Sequence, residues 1–298
     1  MANRESSLWP LCLLAMLGSG GAALSCRADT PQDETEGASG GGPLETSSAS
    51  PDASSGSAES GETCPENTND GDLNVVPEAD LGTMGTITKV LGDLTIARLE
   101  DAEDLSMLQC LRRVEGKIIL WNNTSLSSLY GLSRLEHVGE GLALESNGKI
   151  TSLAGLDSLR ELPALALRNN PSLKRLDINN IESIEYLEIG YCFGGGPEPD
   201  ADLGGLGNPS LKNLAGLDAL KSVDTLRIEW NESLETLDGL HTIADNNGTV
   251  GRVLIRHNKK LPTANIEATI SLLGAEGTIC GNLGDEDPTS CPCDPAFP

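Results

Sequence analysis

The residue types that could bind a metal or act as a nucleophile are thinly spread along this chain. His137, His241 and His257 lie in separate segments without a partner at metal-ligand spacing, so we expect them to be polar residues that face solvent. The Cys291-Pro-Cys293 motif has no His or Cys close to it in sequence and is not predicted to bind zinc. Oxygen-rich stretches at 67–72 and 198–202 lack the full ligand spacing of a calcium loop. We therefore predict no metal site.

The sequence also lacks several motifs of catalysis. It contains no H-E-x-x-H and no P-loop lysine. With 45 Asp and Glu, acidic pairs are so frequent that a glycosidase pair cannot be singled out. We predict a non-enzymatic protein without a cofactor; a β-helix enzyme that acts on polysaccharides is the less favoured alternative.

The charge balance restricts the class of partner. The 298 residues include 45 Asp and Glu against 20 Lys and Arg, a formal charge of −25. Nucleic-acid binding through a general basic surface needs clustered Lys and Arg, so no nucleic-acid partner is expected. Aromatic residues make up only 3% of the chain, and the apolar content is almost all Leu, Ile, Val and Ala. This composition suits stacked layers of similar shape.

The N-terminus has the pattern of an export signal. Residues 1–26 carry one basic side chain and an apolar run that is too short for a permanent membrane span. Ala23-Leu24-Ser25-Cys26 resembles a bacterial lipobox, which implies lipid attachment at Cys26; an ordinary signal peptide cleaved near Ala23 is the alternative. The residue after Cys26 is Arg27, whereas an Asp at this position favours retention of lipoproteins in the inner membrane of some bacteria. We expect a membrane-anchored lipoprotein of the bacterial cell envelope, at the outer membrane or cell surface.

Residues 27–63 form an acidic stretch rich in Gly, Ser and Pro. Such a segment cannot bury enough apolar surface to offset its chain entropy, so we expect it to be disordered. We interpret it as a tether that separates a folded domain from the membrane.

An internal repeat occupies residues 64–280, with a full spacing of 24 residues between Ile118 and Leu142. Each unit opens with an apolar triplet, continues with an Asn, and then places Leu residues three apart. The triplets begin at Leu94, Ile118, Leu142, Leu165, Leu187, Leu226 and Val253.

The repeat predicts a β-solenoid, leucine-rich-repeat-like, with parallel short strands and about seven coils. A Leu-x-Leu triplet places two side chains on one face of a strand, and no unit can bury that face alone, so neighbouring units must stack. The Asn of each unit can turn the chain and bond to the backbone of the next coil. We therefore expect a ladder of stacked Asn side chains.

Two segments carry a family resemblance. Val114-Glu-Gly116-Lys-Ile118-Ile-Leu120 and Val138-Gly-Glu-Gly141-Leu142-Ala-Leu144 resemble the receptor L-domain, the leucine-rich ectodomain module of insulin- and EGF-receptor-type proteins. The Asn-x-x-Leu-x-x-Leu continuation is similar to leucine-rich repeats. The resemblance covers about residues 64–280. It implies binding of a protein or glycan through the sheet and its edges, without shared catalytic residues.

Cysteines are expected to close the ends of this domain. Six remain after the signal and the lipid site: Cys64, Cys110, Cys192, Cys280, Cys291 and Cys293. Cys64 and Cys110 flank the first coil, where a disulfide bond would cap the edge, and L-domains often carry a similar early pair. Cys280 with Cys291 or Cys293 would staple the other end, in a C-terminal cap at 281–298. Cys192 falls in a slot that Asn fills elsewhere, so we expect a buried free thiol; a third disulfide is the alternative.

Recognition is expected on the outward side of the sheet. Alternation along the strands directs a column of side chains outward, and Trp and Tyr are typical interface anchors. The candidate ligand-binding residues in this column are Ile119, Trp121, Tyr186, Arg227, Leu254 and Arg256. The insertion at 193–207 and the basic cluster at 252–260 are further candidate surfaces, although the cluster could equally balance local charge.

These observations predict an envelope-anchored recognition module that binds a protein or glycan. A structural or adhesive envelope lipoprotein without a discrete ligand is the alternative.

Overall fold

The computed structural model describes residues 64–77, 81–193, 204–285 and 291. The expected signal peptide and tether, Cys26, Cys293 and most of the insertion lie outside these described residues. All of the described residues belong to one compact unit, Ser60–Pro298.

Short strands dominate the described part of the chain. Apolar runs of a few residues bounded by Asn, Gly and Ser favour strands over helices. In chain order the strands are β1 (Thr68–Asn69), β2 (Leu73–Val75), β3 (Lys89–Val90), β4 (Leu94–Ala97), β5 (Arg113–Val114), β6 (Lys117–Trp121), β7 (His137–Val138), β8 (Gly141–Glu145), β9 (Glu161–Arg168), β10 (Ser183–Ile189), β11 (Cys192–Phe193), β12 (Gly204–Gly205), β13 (Ser222–Glu229), β14 (Thr249–Arg256) and β15 (Glu276–Cys280).

Nine of the described strands form one parallel sheet, in which neighbours follow one another along the chain. Their order is β2-β4-β6-β8-β9-β10-β13-β14-β15. The register aligns the first residues of all seven triplets, from Leu94 through Leu165 to Val253. The predicted parallel strands are therefore confirmed. The terminal strands β2 and β15 were not predicted, because their sequences depart from the Leu-x-Leu/Ile pattern.

A second parallel sheet contains β1, β3, β5 and β7 in that order. Along the chain, each of these two-residue strands comes just before a strand of the large sheet. A short segment separates the two, such as the one that contains Gly116 between β5 and β6. From β9 onward one longer strand spans both positions, and Glu161 pairs with Ser183 in the same register. The hairpin of β11 and β12, at the two described ends of the insertion, is antiparallel.

The core lies beneath the inner face of the large sheet. The first and third triplet residues are buried there, as Leu94 and Ile96 illustrate. The Leu residues three apart that follow each Asn are also buried, including Leu126 and Leu129. Because each fully buried Leu contributes roughly 1.5–3 kcal/mol, stacking of the units is strongly favoured over any one unit alone.

A continuous ladder of buried Asn side chains runs along one edge of this core. Its members are Asn123, Asn147, Asn170, Asn208, Asn231, Asn258 and Asn282. The Asn147 Nδ2 donates to the carbonyl of Leu120 at 3.0 Å and to the Oδ1 of Asn170 at 3.3 Å, and this pattern recurs along the ladder. The expected ladder is present and holds successive units in register.

Asn208, rather than Cys192, occupies the ladder position between Asn170 and Asn231. The assignment of Cys192 to that slot was wrong, because the insertion lies between β10 and its Asn. The residue five positions after Leu187 is therefore Cys192, which precedes the insertion, and not the Asn of the ladder.

Disulfide bonds close both ends of the described domain. Cys64 is bonded to Cys110, with Cα atoms 5.5 Å apart, and Cys280 is bonded to Cys291, with Cα atoms 5.6 Å apart. Cys192 is also disulfide-bonded. Cys192 is buried as expected, but the prediction of a free thiol is wrong. Disulfides persist in oxidising compartments and are typical of exported proteins.

Helices are few in the described residues. They comprise α1 (His241–Asp245), α2 (Thr263–Leu273) and two 3-10 turns at Leu81–Thr86 and Ser106–Leu108. α2 packs against β14 and β15 and ends at Gly274, whose φ of 62° provides the left-handed C-cap. Within the described ranges, we find no helix with the length and apolarity that a bilayer span requires.

Candidate functional site

The sheet register brings all six candidate binding residues onto the face opposite the leucine core, which we call the outer face. Ile119, Arg227 and Leu254 lie in the row formed by the middle residues of the triplets. Trp121 and Arg256 belong to the row two residues further along each strand, and Tyr186 to the row two residues before.

The burial of these residues differs from the expected accessible column. Ile119, Arg227, Leu254 and Arg256 are between 2% and 6% exposed. Only Trp121 and Tyr186 are half-buried. Strand alternation gives the direction of a side chain correctly, but it does not determine whether that side chain is accessible. For the two arginines the reason is visible, because both are held by buried carboxylates.

A chain of alternating charges crosses the outer face from β8 to β14. Arg168 pairs with Glu188 and lies 3.9 Å from Glu145. Arg227 continues the chain: its guanidinium is 3.2 Å from Glu229 and 4.0 Å from Glu188.

Arg256 on β14 is the next member, and its Nε donates to Glu229 Oε1 at 2.6 Å. Three glutamates and three arginines thus balance one another across five strands. We call these six residues, Glu145, Arg168, Glu188, Arg227, Glu229 and Arg256, the charge chain.

Burial and mutual pairing shift the pKa values of this region. Desolvation raises the pKa of Glu145, which the positive charge of Arg168 only partly offsets. Burial alone would lower the pKa of Arg227, but Glu229, Tyr186 and Glu188 together outweigh it and raise that pKa. Desolvation and the charge of Glu188 raise the pKa of Tyr186 well above its ordinary value, so the phenol stays protonated.

Tyr186 links two members of the charge chain. Its hydroxyl donates to Glu188 Oε2 at 2.9 Å and accepts from Arg227 Nη1 at 3.1 Å. The Arg227 Nη2 donates to both oxygens of Glu229. The remaining donor of this side chain, Nε, is buried and has no hydrogen-bond partner within the described part of the structure.

Aromatic side chains border the charge chain where the strands end. The Tyr191 ring lies 4.6 Å from the Arg168 guanidinium carbon, close enough for a cation–π contact. The Trp230 ring stacks on His257 with centroids 4.9 Å apart, and its Nε1 donates to Cys192 Sγ at 2.9 Å. Gly205 approaches the Trp230 indole so closely that any larger residue would collide with it.

The structure corrects the expectation for His257. It is 8% exposed rather than solvent-facing, and its Nε2 lies 3.0 Å from the carbonyl oxygen of Cys291. Burial lowers its pKa, because the charged imidazolium is poorly solvated there. His257 and Trp230 both have positive φ, at the turn directly before a ladder Asn. His137 is half-buried and His241 is exposed.

The other charged groups mostly form surface pairs. In the basic cluster, Arg256 is buried against Glu229 and Lys259 lies 2.9 Å from Glu232. These two members of the cluster therefore balance local charge. On the second sheet, Lys89 and Arg113 both pair with Glu115, and their hydrogen bonds lower the pKa of that carboxyl to about 2.

A pocket of about 220 Å³ opens where β7 ends and β9 begins. Its polar lining residues are Glu136, His137, Arg160, Glu161, Ser183 and Glu185. Glu136 is paired with Arg112 at 2.9 Å. Across the part of the chain that the structure describes, no three His, Cys, Asp or Glu side chains are grouped closely enough to hold a metal ion.

Sequence reasoning missed the charge chain as a connected unit. Glu145, Arg168, Glu188 and Glu229 were not among the candidates. A signal was available, because opposite charges occupy equivalent or adjacent outward positions of successive repeats.

Comparison with protein-family models, curated proteins and solved structures finds no match to this chain.

Proposed function

We propose that this protein is a non-enzymatic recognition module that binds a protein or glycan on the outer face of its large sheet. The observation that carries the proposal is the concentration of charged and aromatic side chains on that one face. The charge chain holds Tyr186 through hydrogen bonds and contacts Tyr191 through Arg168. Trp121, Tyr186 and Tyr191 are half-buried and remain partly accessible. Rigid aromatic groups beside fixed polar groups are typical of recognition surfaces.

A binding role fits these groups better than a catalytic role. The arginines and glutamates of the charge chain neutralise one another, so they are poorly placed to transfer protons near neutral pH. Their pairing instead favours a fixed pattern of donors and acceptors.

We further propose that the domain is a leucine-rich-repeat-type solenoid of about seven coils, related to receptor L-domains. We also propose that Cys26 carries a lipid that anchors the protein in the bacterial cell envelope, at the outer membrane or the cell surface. The Asn ladder and the regular parallel register support the solenoid. The disulfides support export. Mass spectrometry of the mature N-terminus tests the anchor, and an unmodified N-terminus near Ala23 would remove it.

Crosslinking on intact cells tests the binding role. The full chain carrying Trp121→Ala is compared with wild type and with Tyr130→Ala, which removes an exposed ring elsewhere in the repeat. We expect the first variant to lose crosslinked partners and the second to keep them. Identical partner sets for all three proteins would argue against the outer face and favour a structural or adhesive role.

A further inference from the structure

The unpaired Nε of Arg227 is the feature from which a ligand type can be argued. The Arg227 side chain is only 7% exposed, and its two terminal nitrogens are committed to Tyr186 and Glu229. A buried donor without a partner costs free energy, and native proteins leave few of them. An acceptor oxygen supplied from outside the described residues would satisfy Nε.

The surrounding charge argues that this oxygen is neutral. Arg227 already faces two carboxylates, those of Glu229 at 3.2 Å and Glu188 at 4.0 Å. A ligand carboxylate or phosphate would bring a third negative charge to one guanidinium in a poorly solvated site, where like charges repel strongly. A neutral oxygen adds no such cost.

The neighbouring groups favour a hydroxyl over a carbonyl. Each ionised carboxylate offers about four lone-pair sites. Glu229 already accepts four hydrogen bonds, whereas Glu188 Oε2 accepts one from Tyr186 and can accept another. Thr225 pairs with Tyr186 in the register and is half-buried beside it on the same face. A hydroxyl can accept from Nε and donate to one of these oxygens, whereas a peptide carbonyl can only accept.

From these contacts we infer that Tyr186, Thr225 and Arg227 form a subsite for a neutral sugar of a glycan, with one sugar hydroxyl bound to Arg227 Nε. The inference rests on the proposed function and narrows its ligand to one chemical class. The Tyr186 ring supplies the apolar surface against which a sugar ring can pack. Because Arg227 is buried while Tyr186 and Thr225 are half-buried, the Tyr186 side chain must shift when the sugar binds.

The test follows the Arg227 Nε–H signal directly by NMR on the full chain, assigned by its loss in Arg227→Lys. The probes are linear hexasaccharides of glucose, mannose, galactose and N-acetylglucosamine. An acidic galacturonate hexamer and an uncharged hexapeptide are tested alongside them. We expect at least one neutral saccharide to shift this signal.

Binding measurements on variants accompany the NMR experiment. We expect Thr225→Val, which removes an acceptor for the sugar hydroxyl, to weaken the same saccharide roughly 10-fold, the effect of losing one hydrogen bond in a desolvated site. Tyr130→Phe, which alters an exposed tyrosine, should bind like wild type. Thr225→Val keeps the charge chain intact and gives a second variant if Arg227→Lys does not fold.

The outcomes separate this inference from the proposed function. A signal that stays unmoved with every neutral saccharide, or that moves only with the acidic hexamer or the peptide, overturns the neutral-sugar subsite. The crosslinking result for Trp121→Ala is independent of that outcome. Loss of partners in that variant, without any saccharide response, would leave the recognition role standing and exclude this ligand class.

Discussion

Glu229 is the residue on which the stability of the outer face most depends. It is fully buried and accepts from Arg227 Nη2, from Arg256 Nε and from the backbone nitrogen of Cys192. Glu229→Gln keeps the shape of the side chain but leaves one acceptor oxygen and turns an amide toward these donors. Two buried arginines then lose the negative charge of Glu229.

The expected loss can be worked from these contacts. Losing the buried partner of an ion pair costs about 3–5 kcal/mol, since the remaining charge stays desolvated. A domain is stable by roughly 5–15 kcal/mol, so this change removes a large part of the total. Urea unfolding should show a midpoint lower by about 1–2 M at an unchanged slope of about 2–3 kcal/mol per M.

The control is Glu232→Gln, three residues along the same repeat. Glu232 also pairs with a cation, Lys259 at 2.9 Å, but its side chain is 55% exposed. Such a surface pair is worth at most about 1 kcal/mol. If the two variants unfold at the same urea concentration, then burial does not govern the energetics of the charge chain and our reasoning is refuted.

Three further predictions concern the scaffold. Asn170→Ala leaves the Asn147 backbone nitrogen and the Leu144 carbonyl without their ladder partners. It should lower the free energy of unfolding, measured by urea titration, by about 2–5 kcal/mol. The control Asn180→Ala, at an exposed Asn, should lower it by less than about 1 kcal/mol. Replacing Cys64 and Cys110 together with Ser opens a loop spanning 46 residues and should cost about 4 kcal/mol; a loss below about 1 kcal/mol would contradict the capping role. The pKa of His257 is lowered in the fold, so protonation favours the unfolded chain, and stability should fall as pH drops below the ordinary His value of 6.5. His257→Gln should flatten that part of the stability profile measured by thermal unfolding, and a profile that keeps its slope would assign it to other groups.

The sequence determined the elements of this fold because its repeat is local and periodic. Each triplet such as Ile118-Ile119-Leu120 has the period of a strand, and each Asn recurs at a fixed distance from it. A pattern that repeats every 24 residues can bury its apolar face only by stacking. Strand order, parallel register and the Asn ladder follow from that requirement, as the structure confirms. Where the pattern is interrupted, the same reasoning fails, and for this reason Cys192 was placed in the slot of Asn208.

Only the tertiary structure decided which outward residues are buried and which groups satisfy one another. Sequence alternation indicates that Glu229 and Arg256 point away from the core, but their pairing depends on the distance between side chains of different repeats. The burial of His257 against Trp230 and Cys291 likewise joins segments far apart along the chain. The spacing of apolar residues can be read from one segment of the sequence at a time. Charge pairing and burial depend on how distant segments pack together, so they could be determined only from the structure.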